Sequence, residues 1–522
     1  MPPSARLSAV IDRGRRLLSE GSLGLGVLAF GAPMALGMAL YTTFNFVDLW
    51  MIGQLEGSLD GSLATSPGTS FGASSGSSLG EASVALAALG VCDNVAAVAP
   101  IVAHGLSTGA VALLSFALGR DDEASLRRVA WSSLALVALL GLAFGALGVF
   151  GSDTIVRDVM RTKGVAADVA APYLQIHLGG SLAIFLLLQV TAILRAVGRP
   201  VIAASLLVSG NLLNLVFNAV AIYGPGPTPE LFAWGVPIAE ALGVPRLGVE
   251  GAAWATLLAR TLPALIGLGL VLARIGPPTG LLPLRHEALR IARLGWPASA
   301  QFVLRALGVL VLVALVSERW TTPGDPHALT AFGIVLRLES MVLFVGMGWG
   351  AAASSFVGVA LGRRDRPRAR RAGVVATAYG LATSAVLAVL YVVFAAEVVA
   401  IFDPSPEVVA IGVEHARALG WSYAALGAGV VLSQVLAGAG ATLQSFLLDL
   451  AVLAIVIPVA CVAVLGFEVE RVALWHLLAA GNVLGAGLFA AWTLRGRFFT
   501  VSAGSAADFF GGAPTGGTSS TE

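Results

Sequence analysis

The strongest constraint on this chain is a succession of apolar runs, each long enough to cross a bilayer and separated by polar joints. About 20 apolar residues span the hydrocarbon core as a helix. Runs of that length lie near 24–53, 84–118, 127–150, 171–196, 200–223, 249–274, 288–317, 328–361, 371–396, 409–438, 443–466 and 472–494. In lipid a backbone must satisfy its own polar groups, so these runs read as helices. The expected fold class is an all-α polytopic membrane protein with about twelve transmembrane helices. Charge agrees with that reading: 12% of the 522 residues are charged, about half the ~25% of soluble domains.

Basic residues set the orientation. With the N-terminus in the cytoplasm, one side collects Arg6, Arg13, Arg15 and Arg16, then Arg120, Arg127 and Arg128, then Arg195 and Arg199. The same side takes Arg274, Arg285, Arg290 and Arg293, the cluster from Arg363 to Arg371, and Arg495 with Arg497. The positive-inside rule then predicts a multi-pass protein of the cell (inner) membrane with both termini cytoplasmic. Residues 1–20 read as an amphipathic leader and no cleavable signal is expected. Two external loops, 54–83 and 224–248, and a disordered cytoplasmic tail, 498–522, complete the layout. Cys92 and Cys461 both fall in apolar stretches, so no disulfide framework is expected.

A few polar residues interrupt the apolar runs. Asp48, with Asn45 three residues earlier, sits in the first run. A carboxylate there costs roughly 2.5–3.5 kcal/mol on insertion scales, which makes it a functional-site candidate. Pro33 removes a hydrogen bond from the same helix and is read either as a hinge or as a static kink. Arg260, Arg305, Arg337 and Glu339 lie in later runs. Asp48 is either a coupling group or a carboxylate at the outer interface, and Arg305 either faces a cavity or pairs with an acid such as Asp449. Arg337 and Glu339 are lobe-stabilising anchors or substrate contacts. His104 and His177 read as satisfied polar contacts. No metal spacing, nucleotide-binding lysine loop or catalytic constellation occurs, and nothing points to nucleic acid.

The chain also repeats itself. Ala117-Leu-Gly-Arg-Asp-Asp122 recurs as Ala360-Leu-Gly-Arg-Arg-Asp365 at an offset of 243 (362 − 119). Leu194-Arg-Ala-Val-Gly198 recurs as Leu436-Ala-Gly-Ala-Gly440 at 242 (436 − 194). Two junctions at nearly one offset argue for duplication. With six spans per copy the halves share one orientation, and their sites are expected near the midplane between them. The expected domains are a first lobe over 21–280 and a second over 281–497.

These residues resemble the multidrug and toxic compound extrusion (MATE) family across about 20–497. The matching pieces include Phe44-Asn45-Phe-Val-Asp48, Gly105-Leu-Ser-Thr, Leu194-Arg-Ala-Val-Gly198, Asn214-Leu-Val-Phe-Asn218, Gly248-Val-Glu-Gly-Ala-Ala-Trp-Ala-Thr256 and Gly333-Ile-Val-Leu-Arg337-Leu-Glu339-Ser. The resemblance implies a V-shaped pair of six-helix lobes that export drug-like, often cationic molecules against an inward H⁺ or Na⁺ flow, without a cofactor. It favours a monomer whose partners are small-molecule substrates and the bilayer. Similarity to the branch of DNA-damage-inducible F proteins carries the coupling set onto Asp48, Asn214, Asn218 and Thr256, and Asn45 joins it because it shares a helix face with Asp48. Any Na⁺ would sit at Asp48, Asn214 and Asn218. Asn218 stands where that branch usually has an aspartate, which leaves one carboxylate and leans the reading toward protons. Phe44, Arg260, Arg305, Arg337 and Glu339 are the candidate cavity and substrate residues. The alternative is a lipid or lipid-linked oligosaccharide flippase, which three intramembrane arginines would suit.

Overall fold

The computed structural model describes Leu18, residues 21–59, Cys92, and residues 95–278, 284–322 and 324–496. For 41–50, 52–59, 165–166 and 284–285 it describes the backbone alone. The leader before Leu18, most of the first external loop and the tail from 497 therefore lie outside the described residues.

Twelve helices are long and apolar enough to span a membrane. They are α1 (Leu23–Leu59), α2 (Val98–Gly119), α3 (Glu123–Val159), α4 (Ala167–Ala196), α5 (Pro200–Ala221) and α6 (Gly248–Ile275) in the first half. The second half has α7 (Leu284–Trp320), α8 (His327–Gly362), α9 (Arg366–Val393), α10 (Pro406–Gly438), α11 (Thr442–Gly466) and α12 (Arg471–Arg495). Several run a turn or two past their apolar stretch, as α7 does through Glu287 and Arg290, which pair at 2.9 Å. A helix leaving lipid need not end there, because water satisfies its outer turns. α2 and α10 are the most enclosed, whereas α3, α9, α11 and α12 turn residues such as Leu139, Phe150, Val386, Val389, Ile455 and Leu465 outward. That exposed apolar belt suits lipid.

The repeat is visible in backbone detail. Asp122 caps α3 by accepting from the Ser125 backbone N–H at 2.8 Å, and Asp365 caps α9 through Arg368 at 2.9 Å. Asp121 and Arg364, just before the caps, take φ of 61° and 60°. Gly198 and Gly440 close α4 and α10 with φ of 75° and 76°, the left-handed conformation that glycine adopts without a Cβ penalty. α4 breaks at Gly180, where Leu257 of α6 fills the space a side chain would take, and α10 breaks over Gly420–Ser422. Each break lies inside a stretch that still counts as one span, Ala167–Ala196 and Pro406–Gly438.

Inside the first half, Gln189 of α4 is fully buried and joins three helices. It accepts from the Ser107 hydroxyl of α2 at 3.1 Å and donates to Ser133 of α3 at 2.7 Å. The expected loop between α5 and α6 has structure of its own. It holds a short helix, Gly235–Leu242, and buries Phe232 against Tyr223 with ring centroids 6.1 Å apart. Trp234 stays partly exposed.

The halves meet through a symmetric pair of contacts, α1 on α8 and α7 on α2, around an α2–α8 crossing. All of these contacts lie toward the side that the basic loops mark as inner. Gly31 accepts the ring of Trp349, Ala35 lies on Gly348, and the Phe30 and Phe356 rings meet edge-on at 5.8 Å. Pro33 falls between those α1 contacts. At the crossing Gly119 and Gly362 touch each other: a Cβ on either would stand 3.0 Å from the Cα of its mate. Only glycine admits so close a backbone approach.

Candidate functional site

Asn214 of α5 and Thr256 of α6 are brought together, with the amide Nδ2 donating to the threonine Oγ1 at 3.1 Å. Asn218, one turn further along α5, is completely buried and Asn214 nearly so. Spacing of four put both amides on one face, and a polar line within an apolar half is the result. One turn beyond Thr256, Arg260 lies 3.3 Å from Nε2 of His177, which flanks the α4 break and stacks near Tyr173. The side chains of Phe44, Asn45 and Asp48 lie outside the described residues, as does Asp93. The α1 backbone is helical through 44–48.

Two contacts tie α1 to α5. Gly37 lies against Ala204 near the start of α5, and the Tyr223 hydroxyl donates to the Met51 carbonyl at 2.8 Å beyond its end. Tyr223 stands beyond the last turn of α5, where burial, opposed by Arg246, pushes its phenol up to about 12. It therefore remains a neutral donor at physiological pH.

In the second half, Arg305 does not stand alone. Its Nε donates to Oδ2 of Asp449 at 2.7 Å, the same oxygen that takes the Gln301 amide at 2.6 Å. Ser445 supports Gln301 at 3.4 Å. Of the two sequence readings, pairing with an acid is the one realised, and α7 and α11 are locked together by it. The free positive charge on which the flippase alternative drew is correspondingly reduced. Glu339 of α8 lies within electrostatic reach of Arg305, Tyr391 and Tyr423. Arg337, two residues earlier, makes no ion pair among the described residues.

The sequence reading missed Arg195. It was counted among inner loop charges, yet it belongs to the last turn of α4 and lines a small cavity between the halves. Its repeat mate, Ala437, carries no charge. That asymmetry was the available signal. Among the described residues no group of three or more metal-ligating side chains occurs.

Residues 74–220 and 297–462 each match the model of one family, MatE. The chain belongs to the MatE family. The two matches fall one in each half, as the repeat requires. Among MatE relatives, the chain is 26% identical to the "Probable multidrug resistance protein YpnP" of Bacillus subtilis, over 83% of this chain and 86% of that one. It is 24% identical to the "Probable multidrug resistance protein NorM" of Thermotoga maritima, over 79% and 85%. Its fold matches a solved structure described as the outward-facing conformation of a multidrug resistance MATE family transporter, with a TM-score of 0.78 over 94% of this chain and 99% of that one, at 22% identity. The protein is thus a multi-pass membrane protein of a transporter family.

Proposed function

We propose that this MatE protein is a cation-coupled antiporter that exports drug-like amphipathic molecules, with Asp48, Asn45, Asn214, Asn218 and Thr256 as its coupling set. The observation that carries the reading is the buried Asn214–Thr256 contact on a helix to which α1 is tied at two points. Asp48 lies three residues before Met51 and Asn218 five before Tyr223. At ~1.5 Å per residue the two heights differ by only about 3 Å. This supports a carboxylate and two amides at one level of the first half.

In the proposed cycle the outward-facing protein takes H⁺ or Na⁺ at Asp48. Loading reshapes α1 near Pro33 and the first-half cavity, and the bound drug leaves. The ion-loaded protein then turns inward and discharges. The ion must bind one arrangement of the halves better than the other, or it moves nothing. With Arg305 neutralised by Asp449, the Glu339 carboxyl is the candidate contact for cationic cargo, and Phe44 is a further candidate substrate residue. Arg260 and Arg337 complete the candidate cavity. The lobes are assigned to 21–280 and 281–497, with both termini cytoplasmic in the inner membrane and the protein acting as a monomer.

Vesicles with imposed pH or Na⁺ gradients test this. Asp48→Asn should abolish gradient-driven export while the protein still reaches the membrane, and the effective gradient should name the ion. Undiminished export by that variant would defeat the proposal.

A further inference from the structure

Where the halves close on their inner side, a small cavity remains between them. Its first-half wall presents His104 and Thr108 of α2 and Arg195 of α4, and its second-half wall presents Ser354 of α8 and Gln434 of α10. Two flexible thioether chains, Met38 and Met347, fill part of the remainder. The Thr108 and Ser354 hydroxyls donate to carbonyls of their own helices, at 2.9 and 3.2 Å, which leaves His104, Arg195 and Gln434 as the donors facing the cavity, and none of the lining residues is an acid.

Arg195 is the centre of the argument. Its Nε is buried without a hydrogen-bond partner, and its guanidinium makes no ion pair among the described residues. The Gln434 amide likewise makes no hydrogen bond among them. A guanidinium keeps its proton, so Arg195, partly enclosed and with its Nε shut off from solvent, sets a fixed positive charge on this cavity. The repeat supplies no counter-charge, because Ala437 stands at the matching position of the second half. Size narrows the ligand further. About 10 Å³ is open to a water-sized sphere, room for a single small species and too little for an organic acid or a phosphate.

We propose that this cavity is a binding site for one monatomic anion, chloride under cellular conditions, which fastens the two halves together on their inner side. The bound ion touches Arg195 in one half and Gln434 in the other, so its site exists only while the halves meet. Chloride then favours the inner-closed arrangement by mass action. At ten times its dissociation constant it multiplies the closed-to-open ratio about tenfold. This role is independent of the ion that drives transport.

The test uses the full-length protein in lipid nanodiscs, with spin labels at Glu123→Cys and Arg366→Cys in a background lacking Cys92 and Cys461. Replacing gluconate by chloride should move the distance distribution toward the shorter, inner-closed population and raise the thermal midpoint. Bromide should do the same, and in crystals should give anomalous scattering between Arg195 and Gln434. Arg195→Gln should erase the halide response, and Gln434→Leu, which keeps the arginine, should weaken it several-fold. Equal distances and midpoints in gluconate and chloride would overturn the proposal. So would a halide response that survives Arg195→Gln, or a cavity that holds only water in bromide crystals.

Discussion

Arg305, Gln301 and Asp449 share one carboxylate oxygen, and that economy sets the cost of disturbing them. Asp449→Asn leaves a mostly enclosed guanidinium without its counter-charge and should cost about 3 kcal/mol. Replacing both partners, Arg305→Met with Asp449→Leu, should recover most of that loss, since neither charge then remains to be solvated. Thermal unfolding of the detergent-solubilised variants measures both. Thr256→Val removes the acceptor of a buried amide and should cost about 1 kcal/mol. Its transport phenotype should be a loosened coupling ratio rather than a loss of folding. At this scale the sequence was informative where one helix carried the pattern: Asn214 and Asn218 share a face because four residues nearly complete a turn. It was silent where partners come from distant helices. Arg305 and Asp449 lie 144 positions apart, and no local rule joins them. Arg195 misled for a related reason, because an arginine at a helix end reads as a loop charge unless one knows which way its side chain turns.

The elements are held at their ends by devices repeated in each half. Asp122 starts α3 and Asp365 starts α9, and removing such a cap costs about 1 kcal/mol. Burial opposes ionisation of Asp122, but the Ser125 backbone and side-chain hydrogen bonds, with Arg128 and Arg120, outweigh it and hold the carboxyl below its ordinary value. A depressed value in the folded state means that the contribution is present above the unfolded-state value and is lost as pH falls through the folded one. The stability gap between the native chain and Asp122→Ala should therefore be full at pH 7 and narrow progressively on acidification below the normal carboxylate range. Equilibrium unfolding across pH checks this, and a gap constant down to strong acid would contradict it. Helix count and repeat were legible because apolar length and motif spacing are properties of the chain alone. The breaks in α4 and α10 were not, because the apolar composition runs straight through them. At the Gly180 break in α4 the space a side chain would need is taken by Leu257, a neighbour from another helix.

For the molecule as a whole, the closure between the halves on the basic-loop side is the feature that the proposed cycle must undo. Gly119→Val should push the α2–α8 crossing apart and shift the population toward an inner-open form. Distances between labels on α3 and α9 should lengthen, and Gly362→Val should act alike. Unchanged distances in both would mean that the crossing does not limit closure. Gly119 and Gly362 are repeat mates, so each meets the other as a surface meets its own copy across a twofold axis. The contact consequently needs no second invention after duplication. Two separate six-helix chains could already have docked in this way, and fusing them would have preserved an ancient dimer's handshake inside a single polypeptide.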